Sequence, residues 1–267
     1  MKSLSCERHA HPHLVTLLAT FEQSDNYYLI FPWAKADLLG YWKTIKSMPF
    51  KDRDTALWLA EQCQGLAEGL YKINHWETYS GRGLLHPDSV PIINSKEARA
   101  AIQPSKSNSI DTVQKLFGRH GDIKPNNILW FPNAGRGVLK ITDFGIAHFS
   151  TRDSVPAESR GPVANSPSYR APECDLPNWM LSPSADIWAL GCVYLEFITW
   201  FFGGWKGVED FARRRLAPDP KLADIPSDIF FTIEEDKGPG APRAKVKDAV
   251  TKVSPLISLS PKSLNRK

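Results

Sequence analysis

Cysteine is scarce and scattered in this sequence. The chain has four cysteines among 267 residues, and none has the Cys-x-x-Cys spacing that is typical of zinc or redox sites. We therefore predict free thiols in a reducing, intracellular compartment, cytoplasmic or nuclear, rather than a disulfide framework. No apolar run follows the first methionine, so the sequence shows no secretory signal.

A strong excess of charge of one sign is also lacking. The chain has 33 basic and 29 acidic residues, for a net charge of +4, so nucleic-acid binding is not indicated. Hydrophobic and charged contents of 42% and 23% are ordinary for a soluble globular protein. Residues 185–202 are apolar but contain Asp186 and Glu196, which would be costly in lipid. We therefore predict that this run does not span a membrane and that the chain has no membrane partner.

Apolar patterns predict both strands and helices. Residues 17–21 and 27–31 are apolar and rich in aromatic side chains, and a polar turn separates them, which predicts a β-hairpin. Between residues 54 and 76 apolar side chains recur at i, i+3, i+4 and i+7, which predicts a long amphipathic helix. Residues 128–131 form a short apolar run typical of a strand.

The stretch from His120 to Leu129 places an acid, a base and an amide within one short loop. Asp122 is followed two residues later by Lys124 and five residues later by Asn127. Phosphoryl transfer uses such a set of side chains: a carboxylate orients the attacking hydroxyl, an ammonium offsets charge on the transferred phosphate, and an amide oxygen holds Mg²⁺. The loop is therefore a candidate catalytic loop.

Two further motifs follow it in order. The sequence Ile-Thr-Asp-Phe-Gly at residues 141–145 ends an apolar strand with a second carboxylate, and Ser-Tyr-Arg-Ala-Pro-Glu occupies residues 168–173. The ordered set resembles the eukaryotic protein kinase family. A lone Asp-Phe-Gly is a weak signal, whereas three motifs in the family's order are a strong one.

The resemblance implies an α+β, protein-kinase-like fold with a mainly helical large lobe and a remnant β small lobe. Residues 1–36 would be the remnant of the small lobe and the hinge, and residues 37–236 the large lobe. Residues 78–119 are rich in Ser, Gly, Pro, Asn and Lys, so we expect an inserted loop that is mostly disordered or loosely packed. Residues 237–267 have the composition of a disordered tail.

The resemblance also assigns catalytic roles. Asp122 would orient a substrate hydroxyl, Lys124 would steady the γ-phosphate of ATP, and Asn127 and Asp143 would hold Mg²⁺. The resemblance also implies that the apolar stretch at residues 185–202 is a helix buried in the large lobe. Asp186, at its start, would be structural and would bond the backbone of the catalytic loop.

A second set of residues would bind the nucleotide. Phe31 would be the gatekeeper of the adenine pocket, and the hinge would contact adenine through the carbonyl of Pro32 and the N–H of Ala34. Leu129 would lie under the adenine. Asp37 would reach the ribose, although a helix N-cap explains it at least as well.

Some positions bear on specificity and regulation. Lys124 and Ser166 favour a protein Ser/Thr hydroxyl as the substrate over a Tyr hydroxyl. Gly121 stands where many family members have an Arg that grips an activation-segment phosphate, which makes activation by phosphorylation of that segment less expected.

The sequence before the hairpin contains neither a Gly-rich loop nor a credible ATP-anchoring Lys. We read this as a truncated small lobe and expect negligible kinase activity from this chain alone, because positioning and electrostatics supply most of the catalysis of phosphoryl transfer. A non-catalytic, kinase-like binding module therefore stays open. A phosphotransferase of the aminoglycoside or choline type is a further alternative, because His-Gly-Asp with an Asn five residues after the Asp also suits that class.

Two remaining features have unremarkable interpretations. His11 and His13 are separated by Pro without a nearby acid, so packing is favoured over metal binding. Residues 211–216 carry three consecutive arginines, which we predict to form a solvated helix end.

Overall fold

The computed structural model mixes helices and strands. It describes residues 10–24, 26–80, 112–145, 147–150, 155–156, 167–176, 180–221, 225–234 and 242–252.

The predicted hairpin is confirmed. Strands β1 (Ala19–Gln23) and β2 (Asn26–Ile30) pair antiparallel, with Ala19 opposite Ile30. The side chains of both strands are exposed, and the rings of Phe21 and Tyr28 stack at 4.7 Å.

A separate three-stranded sheet begins after the hairpin along the chain. It has the order β3 (Ala36–Asp37), β6 (Ile128–Phe131), β7 (Val138–Ile141), and both pairs are antiparallel. Strand β6 matches the apolar run predicted to be a strand. Helix α1 (Leu38–Gly40) starts directly after β3 and continues as a π-helical turn over Tyr41–Ile45.

Helix α2 (Arg53–Asn74) confirms the long amphipathic helix. It begins where the Asp52 side chain accepts the N–H of Thr55 at 2.7 Å, a favourable N-cap. On its buried face the indole of Trp58 donates to the carbonyl of Gly137 at 2.8 Å. Gln62 accepts the N–H of Leu139 at 2.9 Å. These bonds tie the helix to the strand β7 and the turn before it.

The expectation of loose packing is wrong for both ends of residues 78–119. Strand β4 (Trp76–Ser80) pairs with β5 (Thr112–Arg119), and β5 also pairs with β8 (His148–Ser150). Both ends contain Thr and aromatic residues that favour strands, and their backbone groups are satisfied by pairing across a long chain separation. Residues 81–111 lie outside the described part of the chain.

Helix α3 (Ser184–Arg215) contains the apolar stretch predicted to be a buried helix. Among the described residues it is the one helix long and apolar enough to cross a membrane, but 56% of its apolar window is buried inside the fold. A kink at Gly204, where φ is +63°, divides it. The prediction of a buried core helix is confirmed.

The main core lies between α2, α3 and the three-stranded sheet. Each large apolar side chain that is fully buried contributes about 1.5–3 kcal/mol relative to exposure, so this cluster fixes the relative placement of the three elements. Its fully buried members include Trp42, Leu66, Ile128, Leu139, Ile141, Val193, Phe197 and Trp200.

The expectation of disorder from residue 237 is wrong for residues 242–252. Strand β13 (Phe231–Glu234) pairs with β14 (Arg243–Val246), and the short helix α4 (Asp248–Thr251) follows. Val250 of α4 packs against a buried cluster of Cys192, Phe211 and Phe230. The segment is ordered despite its polar composition, because its strand pairs with β13 and Val250 packs against a buried cluster. Residues 253–267 lie outside the described part.

Four further two-residue strands complete the element order. Strand β9 (Val155–Pro156) pairs with β10 (Met180–Leu181), and β11 (Ala217–Pro218) pairs with β12 (Pro226–Ser227). The α+β fold class predicted from the sequence is confirmed by this mixture of helices and strands.

Candidate active site

The loop between β5 and β6 brings three predicted catalytic side chains into contact. The ammonium of Lys124 lies 2.6 Å from Oδ2 of Asp122. Asn127 donates from Nδ2 to the same oxygen at 2.9 Å and to the Asp122 carbonyl at 2.8 Å. Because the amide nitrogen of Asn127 faces Asp122, its amide oxygen points to the other side of the group.

Asp186 binds the backbone at the start of this loop, as predicted. Its carboxylate accepts the N–H of His120 at 2.6 Å and the N–H of Gly121 at 2.8 Å. The side chain is 2% exposed, and this burial raises its pKa, while His120, the two backbone donors and Arg119 act in the opposite direction. Buried carboxylates of this kind are stable when they are hydrogen-bonded.

His120 connects the loop to the strand β7 and the residues after it. Its Nε2 lies 2.8 Å from the Thr142 carbonyl, and its Nδ1 lies 3.3 Å from the N–H of Asp122. A carbonyl can only accept, so Nε2 carries the proton and Nδ1 accepts. Burial lowers the pKa of His120, which keeps the ring neutral and preserves both hydrogen bonds.

Asp143 is placed beside the same loop through the backbone. The N–H of Thr142 donates to the Asn127 carbonyl at 3.0 Å. Asp143 itself has φ +64°, in the left-handed region, and is exposed. Phe144 packs on the ring of His120 at 5.3 Å, and this contact fixes the chain where the second carboxylate emerges.

The predicted nucleotide-binding residues lie on or next to β3 and β6. Asp37 and Leu129 are directly paired across the two strands. Asp37 caps α1 by accepting the N–H of Gly40 at 2.6 Å with Oδ1, and its Oδ2 accepts from Asn126 at 3.1 Å. The N-cap alternative for Asp37 is therefore confirmed, and the second bond ties it to the catalytic loop.

The hinge residues connect the hairpin to this sheet. Pro32 and Ala34 lie between β2 and β3, and the next residue, Lys35, donates its N–H to the Trp130 carbonyl at 3.1 Å. Trp33 is 92% exposed and Phe31 is 45% exposed. Among the described residues, no hydrogen bond or ion pair joins Pro32 or Ala34 to the catalytic loop.

The third motif forms a compact turn whose main polar contacts the sequence did not predict. Arg170 donates to Asp175 from Nε at 2.9 and 3.0 Å and from Nη2 at 2.8 Å, and it donates to Asp219 at 2.8 and 3.0 Å. Such forked pairing is the strong form of an arginine–carboxylate contact. Asp219 stands far along the chain without a recognisable motif, so no sequence signal identified it. Ser166 lies outside the described part of the chain.

A small cavity joins the catalytic loop to this turn. Its lining includes Gly121 and Asp122 from the loop and Tyr169 and Arg170 from the turn. The carboxylate predicted to orient the substrate hydroxyl therefore lies beside the turn formed by the third motif.

The histidines near the start of the described chain have a packing role. Nδ1 of His13 lies 2.8 Å from the Leu139 carbonyl, and a Cβ placed on Gly65 would meet the His13 ring at 2.0 Å. Burial lowers the pKa of both His11 and His13. His13 therefore fits closely between α2 and β7, as the packing interpretation predicts.

The prediction of a solvated arginine cluster is correct for two residues and wrong for the third. Arg213 and Arg214 are exposed, but Arg215 is fully buried and pairs with Glu196 at 2.9 Å. Three consecutive helix residues point in different directions, and a complementary carboxylate 19 residues earlier receives the last of them.

Comparison with known proteins shows that the part of the chain with this loop is similar to a known domain family. The family model described as protein kinase domain matches residues 96–206. Cyclin-dependent kinase-like 4 from Mus musculus is 26% identical over 189 residues, which are 71% of this chain and 40% of that protein. Cyclin-dependent kinase E-1 from Arabidopsis thaliana is 38% identical over 93 residues, which are 34% of this chain and 20% of that protein.

The chain spans 40% or less of the length of these curated relatives. A solved structure, the yeast RNA Pol II CTD kinase CTDK-1 complex, aligns with a TM-score of 0.45 at 21% identity, covering 78% of this chain and 54% of that one. The family match includes the three motifs. Together with the curated relatives, it confirms that this chain is similar to the eukaryotic serine/threonine protein kinase family.

Proposed function

We propose that this chain is the catalytic part of a protein kinase that transfers the γ-phosphate of ATP to a Ser or Thr hydroxyl of a protein. The observation that carries the proposal is the contact set in one loop, where Asp122 meets Lys124 at 2.6 Å and Asn127 at 2.9 Å. Phosphoryl transfer depends on positioning and on charge stabilisation more than on covalent chemistry, and this loop supplies both.

In this proposal Asp122 orients the substrate hydroxyl and accepts its proton. Asp122 lines a small cavity together with Tyr169 and Arg170, so it lies beside the turn where this proposal places the protein substrate. Lys124, held at the same carboxylate, offsets negative charge on the transferred phosphate. Lys124 is also the feature of the loop that favours Ser/Thr hydroxyls.

The donor set at the loop fits Mg²⁺. The amide oxygen of Asn127 is the group left after Nδ2 bonds Asp122, and Asp143 provides a carboxylate from the adjacent strand end. Mg²⁺ is commonly held by one or two protein oxygens together with substrate phosphates. When bound, the ion would neutralise charge on the β- and γ-phosphates.

Adenine binding is proposed at the hinge. The Pro32 carbonyl and the Ala34 N–H would contact the base, and Leu129 would lie under it. The pairing of Leu129 with Asp37 supports this assignment, because it puts both residues on the sheet that adjoins the hinge. Asp37 keeps its cap and would contact the ribose from that position. The boundary between the two lobes would then fall between residues 36 and 37. The protein would be intracellular, in the cytoplasm or the nucleus.

The test is Mg-ATP-dependent phosphate transfer by the purified chain to a generic Ser/Thr substrate, with nucleotide binding measured in parallel. The rate is expected to be low, because the sequence contains no Gly-rich loop to cover the phosphates. Transfer that Asp122→Asn abolishes supports the proposal. Binding of Mg-ATP without any transfer would favour a non-catalytic binding module, and transfer to an aminoglycoside or choline instead of protein would favour a small-molecule phosphotransferase.

A further inference from the structure

The buried arginine at the end of α3 has no place in the roles assigned above. We propose that Arg215 is a positioning residue that fixes the Ser168–Tyr169 turn and thereby the surface on which a protein substrate docks. The proposal rests on the proposed function for its substrate, and on a separate set of contacts for its geometry.

Arg215 is held from several sides. Its side chain is 0% exposed. The terminal nitrogen NH2 lies 2.9 Å from Glu196 Oε1 and 3.5 Å from Asp228 Oδ2, and Nε donates to the Asp228 carbonyl at 2.9 Å. The guanidinium also lies over the rings of Phe211 at 4.0 Å and Phe230 at 3.9 Å. A buried charge with these partners cannot move without leaving other charges unpaired.

The two carboxylates that Arg215 contacts each accept a hydrogen bond from a hydroxyl of the Ser168–Tyr169 turn. The hydroxyl of Tyr169 donates to Glu196 Oε2 at 2.8 Å, and the hydroxyl of Ser168 donates to Asp228 Oδ1. Glu196 and Asp228 repel each other, and Arg215 opposes that effect on Glu196. Arg215 therefore keeps two acids in place that bind adjacent residues of the turn.

Lys247, in the segment after β13, makes further hydrogen bonds around Arg215. Lys247 directly follows β14. Its Nζ donates to the Arg215 carbonyl and, at 3.4 Å, to the Ser227 carbonyl. Its N–H donates to the Phe230 carbonyl at 3.0 Å. The C-terminal part of the described chain thus covers the arginine and its ring partners.

The Ser168–Tyr169 turn and the residues after it also line the cavity at the catalytic loop. Tyr169, Arg170 and Ala171 line that cavity together with Gly121 and Asp122. The contacts of Asp122 to Lys124 and Asn127 do not involve the turn. A shift of the turn should therefore alter the binding of a protein or peptide substrate and leave nucleotide binding unchanged.

The experiment uses the whole chain and four variants. Arg215→Lys keeps the charge but loses the fork, and Ser168→Ala and Tyr169→Phe each remove one hydroxyl with little change of volume. Arg213→Lys is the matched control, because Arg213 lies on the same helix end and is 68% exposed. Each variant is measured for peptide KM, kcat, Kd for Mg-nucleotide, and hydrogen exchange of the backbone at residues 167–175.

Arg215→Lys should raise the peptide KM roughly tenfold and speed amide exchange of the turn by a similar factor, since a hydrogen bond to a charged group is lost. Nucleotide Kd should be unchanged. Ser168→Ala and Tyr169→Phe should give smaller effects that are not additive with Arg215→Lys, and Arg213→Lys should change nothing.

Two results would overturn the proposal. One is an unchanged exchange rate of the turn in Arg215→Lys, and the other is an equal loss of peptide and nucleotide binding. If no variant transfers phosphate, the proposed function fails, but the exchange measurement still decides whether Arg215 fixes the turn. If Arg215→Lys does not fold, Tyr169→Phe and Ser168→Ala, which remove the same links from the other end, decide by the same two criteria.

Discussion

The carboxylate of Asp186 accepts two consecutive backbone N–H groups, those of His120 and Gly121, at 2.6 and 2.8 Å. The acid lies 65 and 66 residues beyond its two donors, on the buried helix α3. One side chain thus joins the core helix to the start of the candidate catalytic loop.

Asp186→Asn should destabilise the protein and disturb the loop. An amide has one acceptor oxygen where the carboxylate has two, so one buried N–H loses its partner, at a cost of about 1–3 kcal/mol. Urea unfolding measures the loss. Asp210→Asn, on the surface of the same helix and paired with exposed Arg213, is the control and should change stability by less than about 0.5 kcal/mol. Equal stability of the two variants would contradict the role of Asp186.

Asp143→Ala and Asp122→Ala should separate binding from chemistry. The first removes a proposed metal ligand, so Mg²⁺-dependent nucleotide binding should be lost. The second removes the group that orients the hydroxyl, so nucleotide binding should persist while turnover falls. Calorimetric titration with Mg-ATP, together with the transfer assay, distinguishes the two. Equal loss of binding in both variants would show that the roles are wrongly assigned.

His120 should make the protein less stable in mild acid. Burial lowers its pKa below the ordinary 6.5, so above pH 6.5 the ring is neutral in both states. As the pH falls below 6.5 the unfolded chain takes up a proton that the folded chain does not, and the free energy of unfolding falls until the folded pKa is reached.

The decrease is at most about 1.4 kcal/mol per pH unit. His11 and His13 shift in the same direction, so the measurement compares wild type with His120→Asn between pH 7.5 and 5.5. Wild type should show the steeper loss. A wild-type slope in His120→Asn would refute the assignment.

The kink in α3 should tolerate substitution at one of two adjacent glycines. Gly204 has φ +63°, and a Cβ there would lie 2.5 Å from the Ser47 carbonyl oxygen, which also accepts the N–H of Trp205. Gly204→Ala should therefore cost about 1–3 kcal/mol or more. A Cβ on Gly203 meets nothing within 4 Å, so Gly203→Ala should be neutral or slightly stabilising. Thermal unfolding of the pair tests this, and similar melting temperatures would count against it.

Lys247→Met should destabilise the protein although the sequence around it is polar. Lys247 is 9% exposed, and its ammonium donates to two backbone carbonyls. Its removal therefore leaves buried acceptors unpaired, at a cost of about 1–3 kcal/mol. Lys252→Met breaks only an exposed pair with Asp248, which is worth a few tenths of a kcal/mol. If urea unfolding gave the same midpoint for both variants, residues 242–252 would not be part of the cooperative fold.

Local pattern determined much of this protein. The hairpin, α2 and strand β6 follow from local apolar patterns, which depend on neighbouring residues alone. The catalytic loop was predicted for the same reason: Asp122, Lys124 and Asn127 lie within six residues, so a short loop brings them together without help from distant parts of the chain. The buried helix α3 and the role of Asp186 followed from the resemblance to a known family.

Only the tertiary structure decided the burial and pairing of residues whose partners lie far along the chain. Arg215 is indistinguishable in sequence from Arg213 and Arg214, and only the position of Glu196 and Asp228 makes it buried rather than solvated. Asp219 is identified by Arg170, and the polar segment with Lys247 is ordered by pairing with β13. Such long-range contacts require loop closure, whose outcome depends on the packing of the whole core and not on the local composition of either partner.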